Sequence, residues 1–377
     1  MMQVPFYNFT KLHNQEFQDE ILKRFSMIIQ ENSYSNPDAY YNKNFEQQFA
    51  EMQKAKHCVL VANGTDALEL SLEVLGIGPG DRVGIPGITF YATAEAVLNR
   101  GAIPVMIDVN PKTGLISPES LNRILKKVYL KAIIPVHIYG MPAPIDELES
   151  ICNHRNIKIV EDGAQAHGTI LSDDHPVGSG QNLTTFSFYP TKNIGAFGDA
   201  GAILTQDDEI AKKIISLRNH GRSAKGIEFF GRNSRCDHMQ AAVIHLKLQY
   251  FSEHNKRRRE VAQAYIKELQ SETTNGNISI PAENFINTSS WHLFPTLVKN
   301  KETKLSLKSF LEQKGISTSL FYERSMLEEK PLKDMQGENT HAGLFAERVL
   351  CLPIHPCLLD QEIELVASSV KNFFKTI

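Results

Sequence analysis

Between Lys56 and Leu204, short apolar runs alternate with amphipathic stretches, and no other feature narrows the chain's fold as much. His57 to Ala62 (HCVLVA) reads as a strand, and Thr65 to Leu75 as a helix whose apolar residues recur at helical spacing. Arg82 to Ile85 is a short strand, followed by a helix around Ala92 to Arg100 and a strand at Pro104 to Asp108. Lys131 to Val136 and Lys158 to Val160 are further strands, each preceded by helical sequence. Thr184 to Tyr189 (TTFSFY) is β-branched and aromatic, and Ala202 to Thr205 completes the series. Strands separated by helices imply an α/β fold with a mostly parallel central sheet flanked by helices on both faces. Ligands of such sheets bind beyond the carboxyl ends of the strands, so the residues that follow each strand are the candidate ligand groups.

After about Lys247 the pattern changes. A charged helical stretch, Glu253 to Leu269, leads to a polar segment, Ser271 to Asn277, read as a loop. Strand and helix signals then resume at Leu293 to Val298, Leu307 to Lys314, Leu350 to Pro353 and Asp360 to Phe374. The predicted organisation is a large domain over residues 1–250 and a smaller C-terminal α+β domain over 251–377. Within the charged helix, Lys256-Arg257-Arg258-Arg259 is flanked by Glu253 and Glu260 and reads as a solvated helix face or a subunit contact.

Composition removes several function classes. With 40 basic and 43 acidic residues the net charge is −3, which favours neither nucleic acid nor a membrane surface as partner. Met1 to Asn14 carries no apolar signal region, and no apolar run approaches the roughly 20 residues that a membrane helix needs. Five scattered cysteines, Cys58, Cys152, Cys236, Cys351 and Cys357, form no Cys-x-x-Cys pair and point to neither a disulfide framework nor a metal site. The expectation is a soluble chain with reduced thiols, working in the cytoplasm.

Common nucleotide and hydrolase motifs are missing, and Gly76-Ile77-Gly78-Pro79-Gly80 has the wrong spacing for a dinucleotide fingerprint. Three strand ends carry chemistry instead. Asn63-Gly64-Thr65-Asp66 opens a helix, where free N–H groups and the helix dipole suit a phosphate, although a plain capping turn has the same wording. Asp162, in Glu161-Asp162-Gly163-Ala164-Gln165-Ala166-His167-Gly168, puts a carboxylate at the end of a buried strand, as either a ligand group or a loop cap. Phe186-Ser187-Phe188-Tyr189-Pro190-Thr191-Lys192-Asn193 runs into the glycine-rich stretch Gly195 to Gly201. A lone loop lysine is usually solvated. Here a phosphate cradle, a carboxylate and an amine would converge, and lysine is the residue of Schiff-base chemistry because its pKa shifts readily on burial. Those are the parts that a pyridoxal phosphate site requires.

With these stretches in place, the sequence resembles the DegT/DnrJ family of PLP-dependent nucleotide-sugar aminotransferases from about Tyr34 to the C-terminus. NGTDALELSLEVLGIGPGD, PGITFYATAEAVL, AIIPVHIYG, EDGAQAHG, FSFYPTKNIGAFGDAGAI, LRNHG, GRNSRCDHMQAA and CLPIHPCL carry the likeness in order. The resemblance implies the PLP-dependent transferase fold type I, with pyridoxal 5′-phosphate as cofactor. It implies Lys192 as the Schiff-base lysine and Asp162 as the partner of the pyridine nitrogen. Gln165 would lie near the ring's 3-hydroxyl, and Phe90 would stack on the ring. Gly64, Thr65 and Ser187 match phosphate-binding positions. Asn233 resembles a residue that reaches the phosphate from a neighbouring subunit, which implies a homodimer with shared active sites. His167 reads as either a polar neighbour of the site or a packed core histidine.

Glutamate would be the amino donor and a nucleotide-linked keto sugar the acceptor, with ping-pong kinetics. Through the resemblance, the Ala164-Gln165 pair implies a 3-keto hexose on a dTDP or UDP carrier, since relatives that act at C-3 share it. The chain departs from the family at Ser319 to Arg324, where Phe321 stands in place of a histidine and Glu323 in place of a proline, while Tyr322 is kept. Two related readings are a sugar dehydratase, in which histidine typically replaces the lysine, and a non-catalytic regulatory relative. A third reading is an aminotransferase that acts on a keto-cyclitol.

Overall fold

The computed structural model describes residues 2–171 and 174–376. Seven strands form the central sheet: β1 (His57–Val61), β2 (Arg82–Pro86), β3 (Ile103–Ile107), β4 (Ala132–Ile133), β5 (Lys158–Asp162), β6 (Leu183–Ser187) and β7 (Gly201–Thr205). Their spatial order is β1-β7-β6-β5-β4-β2-β3. Strands β2 to β6 run parallel, and β7 is antiparallel to both of its neighbours. Because β1 is antiparallel to β7, it points the same way as the parallel set. The carboxyl ends of β1 to β6 therefore share one edge.

These strands are apolar on both faces because both faces are covered. Val83, Ile85 and Ala132 pack with Leu68 and Leu72 of helix Gly64–Val74 and with Val97 of helix Ala92–Asn99. On the opposite face, Ile107 and Ile133 pack with Leu121 and Leu148 of helices Pro118–Leu125 and Ile145–Asn153. Of the expected strand Lys131 to Val136, only Ala132–Ile133 pair in register. Pro135 has no N–H to give the ladder, and Val136 rejoins opposite Asp162.

Helix His238–Glu268 spans 31 residues. The stretch expected from Glu253 is its second half, and residue 250 lies inside it. Beyond a hairpin of β8 (Arg222–Ser223) and β9 (Gly226–Ile227), the remaining strands form an antiparallel sheet. These are β10 (Ile278–Ser279), β11 (Phe294–Val298) and β12 (Val349–Leu352). Helices Lys301–Gln313 and Asp360–Thr376 cover it with Leu307, Leu311, Val366 and Val370. The loop expected over Ser271 to Asn277 contains a helical turn, Gln270–Thr274. Polar composition there signalled exposure, not conformation.

The basic run is not a solvated face. Arg258 is buried and donates to the Trp291 and Ile354 carbonyls, at 3.2 and 2.9 Å. Arg257 pairs with Asp360 at 2.6 Å, and Arg259 reaches the carbonyls of Ser289 and Gly168. Only Lys256 of the four is exposed. The helix passes beneath these loops, so the arginines serve their otherwise unpaired carbonyls. Residues near the N-terminus lie on the same half. Val4 exchanges backbone bonds with Gly315 and Ser317, and His355 holds the Pro5 carbonyl at 3.2 Å. This path lays Tyr7 against the edge of the central sheet. Among the described residues, no helix is long and apolar enough to cross a membrane.

Candidate active site

A cavity of about 490 Å³ opens where the carboxyl ends of the parallel strands meet the C-terminal half. Gly64, Thr65, Phe90, Asp162, Gln165, Ser187 and Lys192 all line it. Asn233 does not. It is exposed and bridges Asn219 at the base of the β8–β9 hairpin, outside the cavity of its own chain.

The first corner follows β1. Asn63 caps the helix by accepting the Asp66 N–H at 2.7 Å, an arrangement worth about 1 kcal/mol. The N–H groups of Gly64 and Thr65 have no protein partner among the described residues, and the helix dipole adds positive potential there. Ser187, at the end of β6, closes the corner. A Cβ on Gly64 would stand 2.8 Å from the Ser187 Cβ, so only glycine lets the two strand ends approach this closely. Two free N–H groups, a nearby serine hydroxyl and a helix N-terminus fit a phosphate.

Asp162 ends β5. Its Oδ1 accepts the Ala164 N–H and its Oδ2 the Thr93 hydroxyl, both at 3.0 Å. Thr93 is held in turn by Thr89 at 2.7 Å. Burial pushes the Asp162 carboxyl above its ordinary pKa, while these two bonds and the charge of Lys192 pull it back. On the sheet side, the backbone of His137 donates to the Asp162 carbonyl at 3.1 Å. The His137 ring accepts the Ala143 N–H on Nδ1, so its Nε2 carries the proton that bonds Glu161 at 3.0 Å.

Lys192 follows β6 in a turn set by the bond from its own N–H to the Tyr189 carbonyl, 2.8 Å. Gly195 makes that turn possible, since a Cβ there would lie 2.2 Å from the Pro190 oxygen. Burial lowers the Lys192 ammonium from an ordinary 10.5 to about 8, with Asp162 acting in the opposite direction. Gln165 is buried. It accepts the Tyr139 N–H at 2.6 Å and donates to the Tyr322 hydroxyl at 3.0 Å. Phe90 is 60% exposed and overhangs the cavity, its ring 6.3 Å from that of Tyr322.

Several lining residues lie far from any motif. Tyr7 arrives with the N-terminal segment, and burial raises its phenol to about 12. His292 is a cavity wall beside Asn193, at 3.3 Å, and burial first and the Lys192 charge second hold it neutral. Thr89 and Thr93 stand just after β2, within the PGITFYATAEAVL stretch, but no sequence signal gave them a role. Tyr7 and His292 had none either. His167 is a packed histidine, fully buried among Phe49, Phe186 and Phe188, with burial lowering its pKa to about 3.

An anion-binding corner, a buried carboxylate and an amine of lowered pKa thus surround a slot roofed by an aromatic ring. Together with the sheet order, this defines a fold-type-I, pyridoxal-phosphate-dependent transferase. Residues 15–371 match the DegT/DnrJ/EryC1/StrS aminotransferase family, and the chain belongs to it.

The chain is 38% identical over 334 residues to the erythromycin biosynthesis sensory transduction protein EryC1 of Saccharopolyspora erythraea, covering 88% of this chain and 89% of that one. It is 35% identical to the dTDP-3-amino-3,4,6-trideoxy-alpha-D-glucose transaminase of Streptomyces venezuelae, covering 89% and 87%. The crystal structure of S. venezuelae DesV in complex with a ketimine intermediate superposes with a TM-score of 0.92 at 33% identity over all of both chains. The cofactor is pyridoxal 5′-phosphate.

Proposed function

We propose that this aminotransferase moves an amino group from L-glutamate to a nucleotide-linked keto sugar, a dTDP- or UDP-hexose oxidised at C-3. One observation carries the reading: the Lys192 amine, held near neutral basicity by burial, shares one cavity with the buried Asp162 carboxylate. The bound cofactor supplies an aldehyde that exchanges amines and a ring that draws off electrons. The chain's own residues do the rest. Gly64, Thr65 and Ser187 hold the phosphate through N–H and hydroxyl groups. Asp162 keeps a proton on the ring nitrogen. Phe90 packs on the ring face. Lys192, once free, would take a proton from the donor's Cα and deliver it to the cofactor's C4′ carbon, as general base and then acid.

The acceptor is argued from the relatives. The S. venezuelae transaminase is named for a 3-amino sugar on a dTDP carrier, in keeping with Gln165 beside the ring. Two observations support a homodimer with shared sites. Asn233 lies outside its own cavity, and Leu22, Ile29 and Phe230 are apolar side chains left largely exposed. The five cysteines are all free thiols, in keeping with a cytoplasmic enzyme.

The name of the EryC1 relative favours a regulatory reading as the second choice. The two separate on one assay: protein, PLP and glutamate should yield 2-oxoglutarate, and a regulator would yield none. A panel of dTDP-, UDP- and GDP-linked keto sugars with glutamate, read by mass, tests the substrate. Amination of a 3-keto sugar supports the proposal, and amination of 4-keto sugars alone refutes the assigned position.

A further inference from the structure

The side-chain amide of Gln165 has only one orientation open to it. Its Oε1 receives the backbone N–H of Tyr139 at 2.6 Å, and a backbone nitrogen can only donate. Its Nε2 therefore faces the Tyr322 hydroxyl, 3.0 Å away, and donates to that oxygen. A phenol carries a single proton, and that of Tyr322 has no acceptor among the described residues. Tyr322 lines the cavity beside Phe90, their rings 6.3 Å apart, so the proton is free for an acceptor in the slot. The segment is also tied from behind. The hydroxyl of Tyr139, a fully buried residue, donates to the Phe321 carbonyl at 2.7 Å. One residue thus sets both the amide and the backbone that carries the phenol.

We propose that Tyr322 is a positioning residue for the cofactor: its hydroxyl donates a hydrogen bond to the phenolic oxygen of the pyridoxal ring, in a direction fixed by Gln165. This rests on the placement of the ring between Phe90, Asp162 and Lys192 given above. A donor at that oxygen favours its anionic form. It therefore lowers the pH at which the lysine-bound cofactor loses the proton shared between ring oxygen and nitrogen.

The test is the absorbance of the holoenzyme, titrated without substrate from pH 5 to 10. In Tyr322→Phe the midpoint of the visible band should rise by about one pH unit, the size of effect expected for a charge-assisted hydrogen bond. Tyr139→Phe keeps the phenol at position 322 but loosens its backbone, and should give a smaller rise. An unmoved midpoint in a Tyr322→Phe protein that still binds PLP overturns the proposal, even if KM for the sugar increases. Should Tyr322→Phe fail to fold, an unmoved or lowered midpoint in Tyr139→Phe overturns it instead. A wild-type protein without any visible band would bring down the cofactor placement itself, and a normal wild-type band unaffected by either substitution would bring down only the role of Tyr322.

Discussion

Replacing Asp162 with asparagine should make the Lys192 amine easier to deprotonate and the enzyme far slower, two effects of opposite sense from one substitution. Burial takes the Lys192 ammonium from 10.5 to about 8, and the Asp162 charge works against that fall. At pH 7 an amine of pKa 8 is about one-tenth free, against roughly three parts in ten thousand at 10.5, since each unit is a factor of ten. The fold therefore supplies about 300 times more nucleophile at neutral pH. Apo-protein mixed with PLP in a stopped-flow spectrometer should form its visible band faster as pH rises, levelling off above about 8. Asp162→Asn removes an anion that favours the ammonium, so the midpoint should drop and uptake at pH 7 should quicken by several-fold. Turnover with glutamate should fall by roughly 100-fold or more, because the ring nitrogen loses its charged partner. Burial also raises the pKa of Asp162 itself, so the two proteins should converge toward acid. A wild-type midpoint near 10, or an upward move in Asp162→Asn, would refute the reasoning.

Three further outcomes follow from single contacts. Gly64→Ala places a methyl 2.8 Å from the Ser187 Cβ, so the phosphate corner must widen. PLP affinity measured by fluorescence quenching should fall about tenfold, with a stability loss on the order of 1 kcal/mol. Lys247 is 93% buried, its amine over the Phe17 and Phe197 rings at 5.9 and 5.4 Å, and burial lowers its pKa to about 7. The unfolded chain holds that proton more tightly, so the cost of the charge is full below pH 7 and gone by about 10.5. Lys247→Met should raise the thermal midpoint at pH 6 by several degrees and change it little at pH 10.5; equal gains at both pH values would count against a buried charge. Mixing inactive Lys192→Ala and Asn233→Ala proteins under subunit exchange should restore up to about a quarter of wild-type activity if Asn233 serves the neighbouring site, because random exchange makes half the dimers mixed and each of those has one intact site. No recovery would show that the sites are not shared.

Much of the fold was legible because its signals are local. Apolar runs such as Val59-Leu60-Val61 and Ile133-Ile134 can lie only where both faces are covered, and their alternation with amphipathic helices calls for parallel crossovers. The strand-end rule then pointed to Gly64, Asp162, Ser187 and Lys192, which do line one cavity. Local signals failed where composition and placement disagree. Arg258 belongs to a basic run yet lies buried, because its helix passes under two loops whose carbonyls lack other partners. The polar stretch after Ser271 marked exposure but concealed a helical turn.

The order of strands and helices, and the kinds of residue standing at each strand end, were determined by the sequence alone, since both depend on periodicity over a few residues. Only the tertiary structure decided which distant groups complete the site. Tyr7 enters from the N-terminal segment, His292 from the loop just before β11, and Tyr322 bonds a glutamine 157 positions earlier. No short-range pattern encodes such pairs, because they form when the two halves of the molecule close on one edge of the sheet. The lowered pKa of Lys192 belongs to the same class: it is a property of the walls around the amine, and lysine itself carries no sign of it.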